Sequence, residues 1–182
     1  MIKNKTHRLT SSGFLLGLGI ILPYALAHGF GVPGTVLLPM HIPVLICGFL
    51  CGPIYGVICG IALPILNCIL TGMPALFPML PIMTCELAVY GLVSGLLFTK
   101  TALGQRKWGV YAALPIAMVC GRIAYAMAFY VLFLIVGKLK ALAVTAAIVT
   151  GLPGIIIQLL IIPRIVILTR KIALNKSNRQ ND

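Results

Sequence analysis

The sequence predicts an all-α polytopic membrane protein, with six transmembrane helices in one compact bundle and a short second helix. Three observations carry that expectation. Hydrophobic residues make up 60% of the chain and charged residues 9%, at a mean hydropathy of +1.11. So little polar surface cannot cover a water-soluble fold. The apolar residues gather into long runs, separated by breaks rich in Gly, Pro, Lys or Arg. The basic residues sit at the ends of those runs, where they act as topology signals rather than forming the polar face that nucleic acid requires. The 182 residues leave no room for a separate soluble domain, so 1–182 reads as one integral membrane domain.

Residues 1–9 form a basic cytoplasmic leader, and span one follows from Thr10 to His28. Its basic start, apolar middle and Ala25, Leu26, Ala27 site look like a signal peptide, but Pro23 and Gly29 end a helix equally well. Gly29 to Leu38 is a flexible apolar loop. Span two, Pro39 to Cys51, reaches only roughly 20 Å at ~1.5 Å per residue, too short to cross a bilayer as a straight helix. Gly52 and Pro53 turn the chain into span three, Ile54 to Thr71, whose glycines let neighbours approach closely. Gly72 to Ala75 is a turn, and span four runs from Ala75 to Phe98 with Pro78 and Pro81 bending its first half. Thr99 to Lys107 is a polar loop. Span five, Trp108 to Val136, is long enough to tilt. Gly137 to Lys140 is a tight turn before span six, Ala141 to Leu168, which Thr150 to Gly154 interrupts. A basic cytoplasmic tail, 169–182, closes the chain. The alternative count is five spans plus a re-entrant second segment.

The positive-inside rule supports six. With the N-terminus inside, the inner segments carry Lys3, Lys5 and Arg8, then Lys100, Arg106 and Lys107, then the basic residues from Arg164 onward. Only Lys138 and Lys140 fall outside, and Arg122 lies within a span. Both termini are therefore expected in the cytoplasm.

Glu86 falls near the middle of span four and Arg122 near the middle of span five. Each costs ~2.5–3.5 kcal/mol at a helix centre, so neither faces lipid. They either pair with each other to hold two helices together or face a substrate cavity, and the two roles are compatible. Steps of three and four put Met79, Met83, Glu86, Tyr90 and Ser94 on one face of span four. Met118, Arg122, Tyr125 and Phe129 share a face of span five in the same way. A carboxylate among soft and aromatic surfaces suits a flat, small, partly polar ring, although such stripes also serve ordinary packing. Asn67 on span three, toward the outer side, and Gln158 on span six, toward the inner and so the weaker site candidate, are polar amides in apolar runs that either glue helices or meet a ligand.

Other chemistry has little support. The sequence holds no nucleophile–His–acid arrangement, no phosphate-cradling loop, no paired carboxylates and no Walker motif. An enzyme is not expected, no cofactor is implied, and active transport needs an external motor. Cys47, Cys51, Cys59, Cys68, Cys85 and Cys120 all lie in apolar runs and read as small buried hydrophobes. His28 and His41, with Met40, Cys47 and Cys51, leave a soft-metal permease as an alternative. A membrane scaffold with a structural Glu86–Arg122 pair is another.

The segment Pro39 to Gly56, with His41, Ile42 and Pro43 leading into Gly48, Phe49, Leu50 and then Gly52, Pro53, resembles the S components of energy-coupling factor (ECF) vitamin transporters. The resemblance extends over nearly the whole chain in length, span order and polar placement. It implies a subunit that binds a vitamin or related micronutrient from outside, joins a transmembrane coupling subunit and two ATPases, and topples to release the ligand inside. It also implies docking through a small-xxx-small motif on span one, which Gly13 and Gly17 match with glycines. Ligand is held in this family by the first loop and spans four to six. Glu86, Tyr90, Arg122 and Tyr125 fall there, and together with His41, Asn67, Met83 and Phe129 from the reading of the residues themselves they are the expected substrate-binding set. Met40 and His41 stand where riboflavin-type relatives have an acidic, Ser-containing segment, which points away from a flavin. Glu86 is similar to the Glu that thiamine-type members set against an aminopyrimidine. A B6-type pyridine or a pyrimidine precursor is the first expectation, and an anion such as pantothenate or niacin follows if Arg122, Lys138 or Lys140 reaches the ligand.

Overall fold

Backbone in hydrocarbon has to satisfy its own N–H and C=O groups, and the apolar runs accordingly become helices. The computed structural model describes residues 5–30, 38–104, 106, 108–136 and 151–179, with the backbone alone at 27–30 and 173–179. Helix α1 is Lys5–Phe30, α2 His41–Cys51, α3 Pro53–Thr71 and α4 Met79–Lys100. A 3-10 turn, Ala102–Gly104, precedes α5, Gly109–Val136, and α6 is Leu152–Arg179. Among the described residues there is no strand. Five of these helices are long and apolar enough to cross a membrane, and the 11-residue α2 is the short one.

Several boundaries differ from expectation, each for a local reason. Helix α1 runs through Pro23 to Phe30, because the apolar environment holds a helix that one missing N–H interrupts but does not end. It also starts at Lys5, inside the expected leader. Helix α4 begins after Pro78, with Pro81 in its first turn where no intrahelical N–H is needed. Helix α6 likewise takes Pro153 into its first turn and continues past Leu168 to Arg179, so most of the expected tail is helical. The tight turn at 137–140, the start of span six at 141–150 and most of the first loop lie outside the described residues.

Helices α3 and α4 form the most extensive pairing, and glycine makes it possible. A Cβ on Gly56 would stand 2.5 Å from the carbonyl oxygen of Gly91, and one on Gly91 would meet the Gly56 backbone in turn. The short α2 threads this pair, with Gly48 lying against Gly91 and Ser94. All its residues except Ile42 are buried. Gly52, at φ 100°, makes the reversal into α3 that a side chain would strain. Helix α1 leans on α2 and α3 from outside, and α5 and α6 close the other flank.

The outer surface is apolar, with Ile21, Ile69, Met127, Leu134, Ile156 and Leu160 among its exposed side chains. Such a surface is stable against lipid and not against water. The cysteines divide accordingly. Cys47, Cys51 and Cys59 are buried, as expected, whereas Cys85 is exposed and Cys68 and Cys120 are half-buried on the lipid side of their helices. None is in a disulfide.

Candidate functional site

Helices α2, α4 and α5 bring four polar side chains to one point in the core. Glu86, on α4, is 1% exposed. Its Oε1 accepts the Tyr90 hydroxyl at 3.0 Å, one helical turn away on the same face. Nη1 of Arg122 reaches that same oxygen at 3.1 Å from α5. His41 opens α2, so the start of the short helix points its ring inward, with Nε2 3.6 Å from Oε2 of Glu86. The imidazole also meets the Tyr90 ring edge-on, with centroids 5.3 Å apart. One carboxylate thus gathers a guanidinium, a phenol and an imidazole from three helices.

The geometry around this cluster depends on two residues that the sequence reading left out or ranked low. Gly121 abuts the Tyr90 ring, and any Cβ there would collide with it. Its signal was a glycine inside a helix, next to the charged residue. Gln158, expected toward the inner side, instead lies at the same end of the bundle as the first loop. Its Nε2 donates to the carbonyl of Leu38 at 3.4 Å. Helix α6 begins at Leu152, so Gln158 occupies its second turn rather than a point beyond its middle.

Other expected residues fall in different places. Tyr125 and Phe129 are buried and pack with Ile82, which lies one helical turn before Glu86 on α4. Met83 is half-buried on α4, and Met118 is buried on α5 beside Arg122. Asn67 is apart from the rest. Its amide nitrogen donates to the carbonyls of Leu63 at 3.0 Å and Gly19 at 3.3 Å, so it joins α3 to α1.

A cleft of about 420 Å³ between α5 and α6 adjoins the cluster. Met118, Arg122, Ile155 and Leu159 are among its walls, and it is apolar except for Arg122. Arg122 is the link between cleft and carboxylate. A second hollow, of about 440 Å³, lies far off beside Trp108 and Arg106 and holds no buried charge. Among the described residues no group of three His, Cys, Asp or Glu is placed to hold a metal ion.

Comparison with known families decides what this arrangement belongs to. The sequence model of the ECF transporter, substrate-specific component, matches residues 7–166. The chain belongs to that family. No curated protein and no solved structure matches it. As an S component it is a multi-pass membrane protein and a transport subunit rather than an enzyme. Membership implies a small-molecule substrate and association with ECF membrane and ATPase subunits.

Two glycines of this S component stand out against that background. A Cβ on Gly13 or Gly17 of α1 would meet nothing within 4 Å. The glycine of α1 that packs internally is Gly19, against the Leu63 side chain. Gly13 and Gly17 therefore lie on a face of α1 that no described part of the chain covers.

Proposed function

We propose that this S component captures a small heteroaromatic micronutrient, of the B6-type pyridine or pyrimidine-precursor class, from outside a bacterial cell for ATP-driven uptake. Both termini are cytoplasmic in this reading, and the ligand enters at the end of the bundle where α2 begins. The observation that carries it is the buried meeting of Glu86, Tyr90, Arg122 and His41 beside the α5–α6 cleft. Charged groups inside a membrane bundle mark substrate sites more often than they serve packing alone. Tyr90, Tyr125, Phe129 and Met118 supply flat and soft surfaces around them, as an aromatic ring requires. Gly13 and Gly17 are the proposed docking face for the transmembrane coupling subunit, since bare backbone lets a partner helix approach closely.

The experiment is a thermal-shift screen of the purified protein against vitamins and their precursors, with mass spectrometry of whatever small molecule copurifies. A true ligand at a hundredfold excess over its dissociation constant stabilises the fold by about 2.7 kcal/mol. A folded sample that responds to no member of the panel and carries no copurified ligand rejects the binding reading. It leaves Glu86 and Arg122 as a structural clamp.

A further inference from the structure

The chain carries 14 Lys and Arg residues against two acids. One acid, Glu86, is buried against Arg122, and the other, Asp182, lies outside the described residues. The described residues hold no other carboxylate. Three of the cations flank the turn between α4 and α5. Lys100 ends α4, Arg106 follows the 3-10 turn Ala102–Gly104, and Arg170 reaches that turn from α6. Nη2 of Arg170 donates to the carbonyl of Gly104 at 2.7 Å, and its guanidinium lies over the Phe98 ring, 4.9 Å from the centroid. Arg170 is thus engaged in holding the turn against α6. Arg106 is exposed beside it, and its guanidinium has no partner among the described residues.

Arg106 stands at the hollow of about 440 Å³ whose other walls are Leu103, Trp108, Gly109 and Ala112. Close backbone packing fixes its shape. A Cβ on Gly109 would collide with the carbonyl of Leu103, and the Gly109 N–H donates to the carbonyl of Arg106 at 3.2 Å. The walls are of two kinds. Leu103 and Ala112 offer hydrocarbon, Arg106 offers a cation, and the exposed Trp108 lies beside them. The Trp108 ring is 5.6 Å from that of Tyr111, which is exposed as well. Trp108 immediately precedes the apolar run of α5. Exposed Trp and Tyr at the end of a span mark the headgroup level, where hydrocarbon meets water.

We propose that this hollow holds an anionic phospholipid, with its phosphate against Arg106 and the start of an acyl chain along Leu103 and Ala112. An acidic protein surface would match the charge alone. A molecule that joins a phosphate to hydrocarbon matches both kinds of wall, and basic pockets beside membrane helices bind such headgroups. In the orientation proposed above, the lipid belongs to the inner leaflet. It covers the α4–α5 turn that Arg170 already fastens to α6. The site is separate from the Glu86 cluster and does not depend on what that cluster binds.

Competitive lipid binding to the full chain in detergent tests this. The protein is given equal amounts of dioleoylphosphatidylglycerol and dioleoylphosphatidylcholine, and native mass spectrometry reads the ratio bound. The two lipids share their acyl chains and differ in headgroup charge. The anionic one should be retained at least about fivefold more, the scale of one basic residue at an anionic headgroup. Arg106→Gln should bring that ratio close to one. Lys5→Gln, on a helix that packs against α2 and α3, removes the same charge and should leave the ratio unchanged. Ala112→Trp fills the hollow without altering charge and should lower retention of the anionic lipid. All three side chains are exposed, so none of these changes disturbs the core. Equal retention of the two lipids by the wild type overturns the proposal. So does undiminished retention in either Arg106→Gln or Ala112→Trp, or a loss in Lys5→Gln that equals the loss in Arg106→Gln. Displacement of the anionic lipid by glycerol 3-phosphate at the same concentration overturns it too, because the hollow would then take a soluble phosphate.

Discussion

Nε2 of Gln158 donates to the carbonyl oxygen of Leu38 at 3.4 Å, joining residues 120 positions apart. The same carbonyl accepts the backbone N–H of His41 at 3.1 Å. Leu38 has a left-handed backbone, φ 48°, which costs a side-chain-bearing residue ~1–2 kcal/mol. Helix α6 thus holds the strained residue that delivers His41 to Glu86. Gln158→Leu should lower stability by ~0.5–1.5 kcal/mol, the worth of one hydrogen bond. It should also weaken substrate binding several-fold, since the His41 ring loses its fixed position. Unfolding midpoints and calorimetric affinities, measured side by side, check this, and unchanged values for both would remove Gln158 from the site's support.

Gly121 and Gly13 offer a contrast between two glycines with opposite surroundings. A methyl group at Gly121 collides with the Tyr90 ring, while one at Gly13 meets open space. Gly121→Ala should cost ~1–3 kcal/mol as overpacking and push the Tyr90 hydroxyl away from Glu86. Gly13→Ala should be neutral or gain up to ~1 kcal/mol, because alanine suits a helix interior better than glycine. Thermal unfolding of both variants in one detergent tests the pair. Equal effects would mean that the close approach at Gly121 does not limit packing.

Much of this arrangement was legible in the sequence, and the gaps have physical causes. Steps of three and four along spans four and five correctly grouped Glu86 with Tyr90 and Arg122 with Tyr125, because helix geometry alone fixes those neighbours. The short second helix followed from length. What the sequence did not reveal was which faces meet across helices. Asn67 and Glu86 were each left open between a structural and a ligand-facing role, and Asn67 turns toward Gly19 on α1 while Glu86 turns toward α2 and α5. Helix ends were also misjudged, since Pro23 stays inside α1 while Pro78 precedes α4. In lipid the surrounding bundle, not local propensity, decides whether a proline stops a helix.

The free glycine face on α1 separates binding from transport. Gly13→Leu and Gly17→Leu place bulk where the chain's own fold has open space. Stability and ligand affinity should stay within ~0.5 kcal/mol of the parent, as for surface changes that disturb no packing. Uptake by a reconstituted ECF complex should fall at least about tenfold, because leucine holds the partner helix away from the α1 backbone. Normal uptake by both variants would show that the coupling subunit docks elsewhere.

The pair Glu86 and Arg122 needs an experiment that separates clamp from pocket. Glu86→Gln keeps shape and most hydrogen bonding but deletes the charge that faces Nη1 of Arg122. A buried cation left without its partner costs ~3–5 kcal/mol, so stability should fall in this variant whichever role the pair has. Stability therefore does not discriminate by itself. Arg122→Met combined with Glu86→Gln removes both charges and should recover most of the loss, since no unpaired ion remains. Affinity then decides. If the pair belongs to the substrate site, the double variant is stable but binds at least ~1.5–3 kcal/mol more weakly, the range of a charged hydrogen bond. A stable double variant that keeps wild-type affinity would assign both residues to holding α4 against α5 and nothing more. The wild type, Glu86→Gln, Arg122→Met and the double variant should be compared in the same detergent at the same ionic strength, so that differences in affinity reflect the two side chains alone.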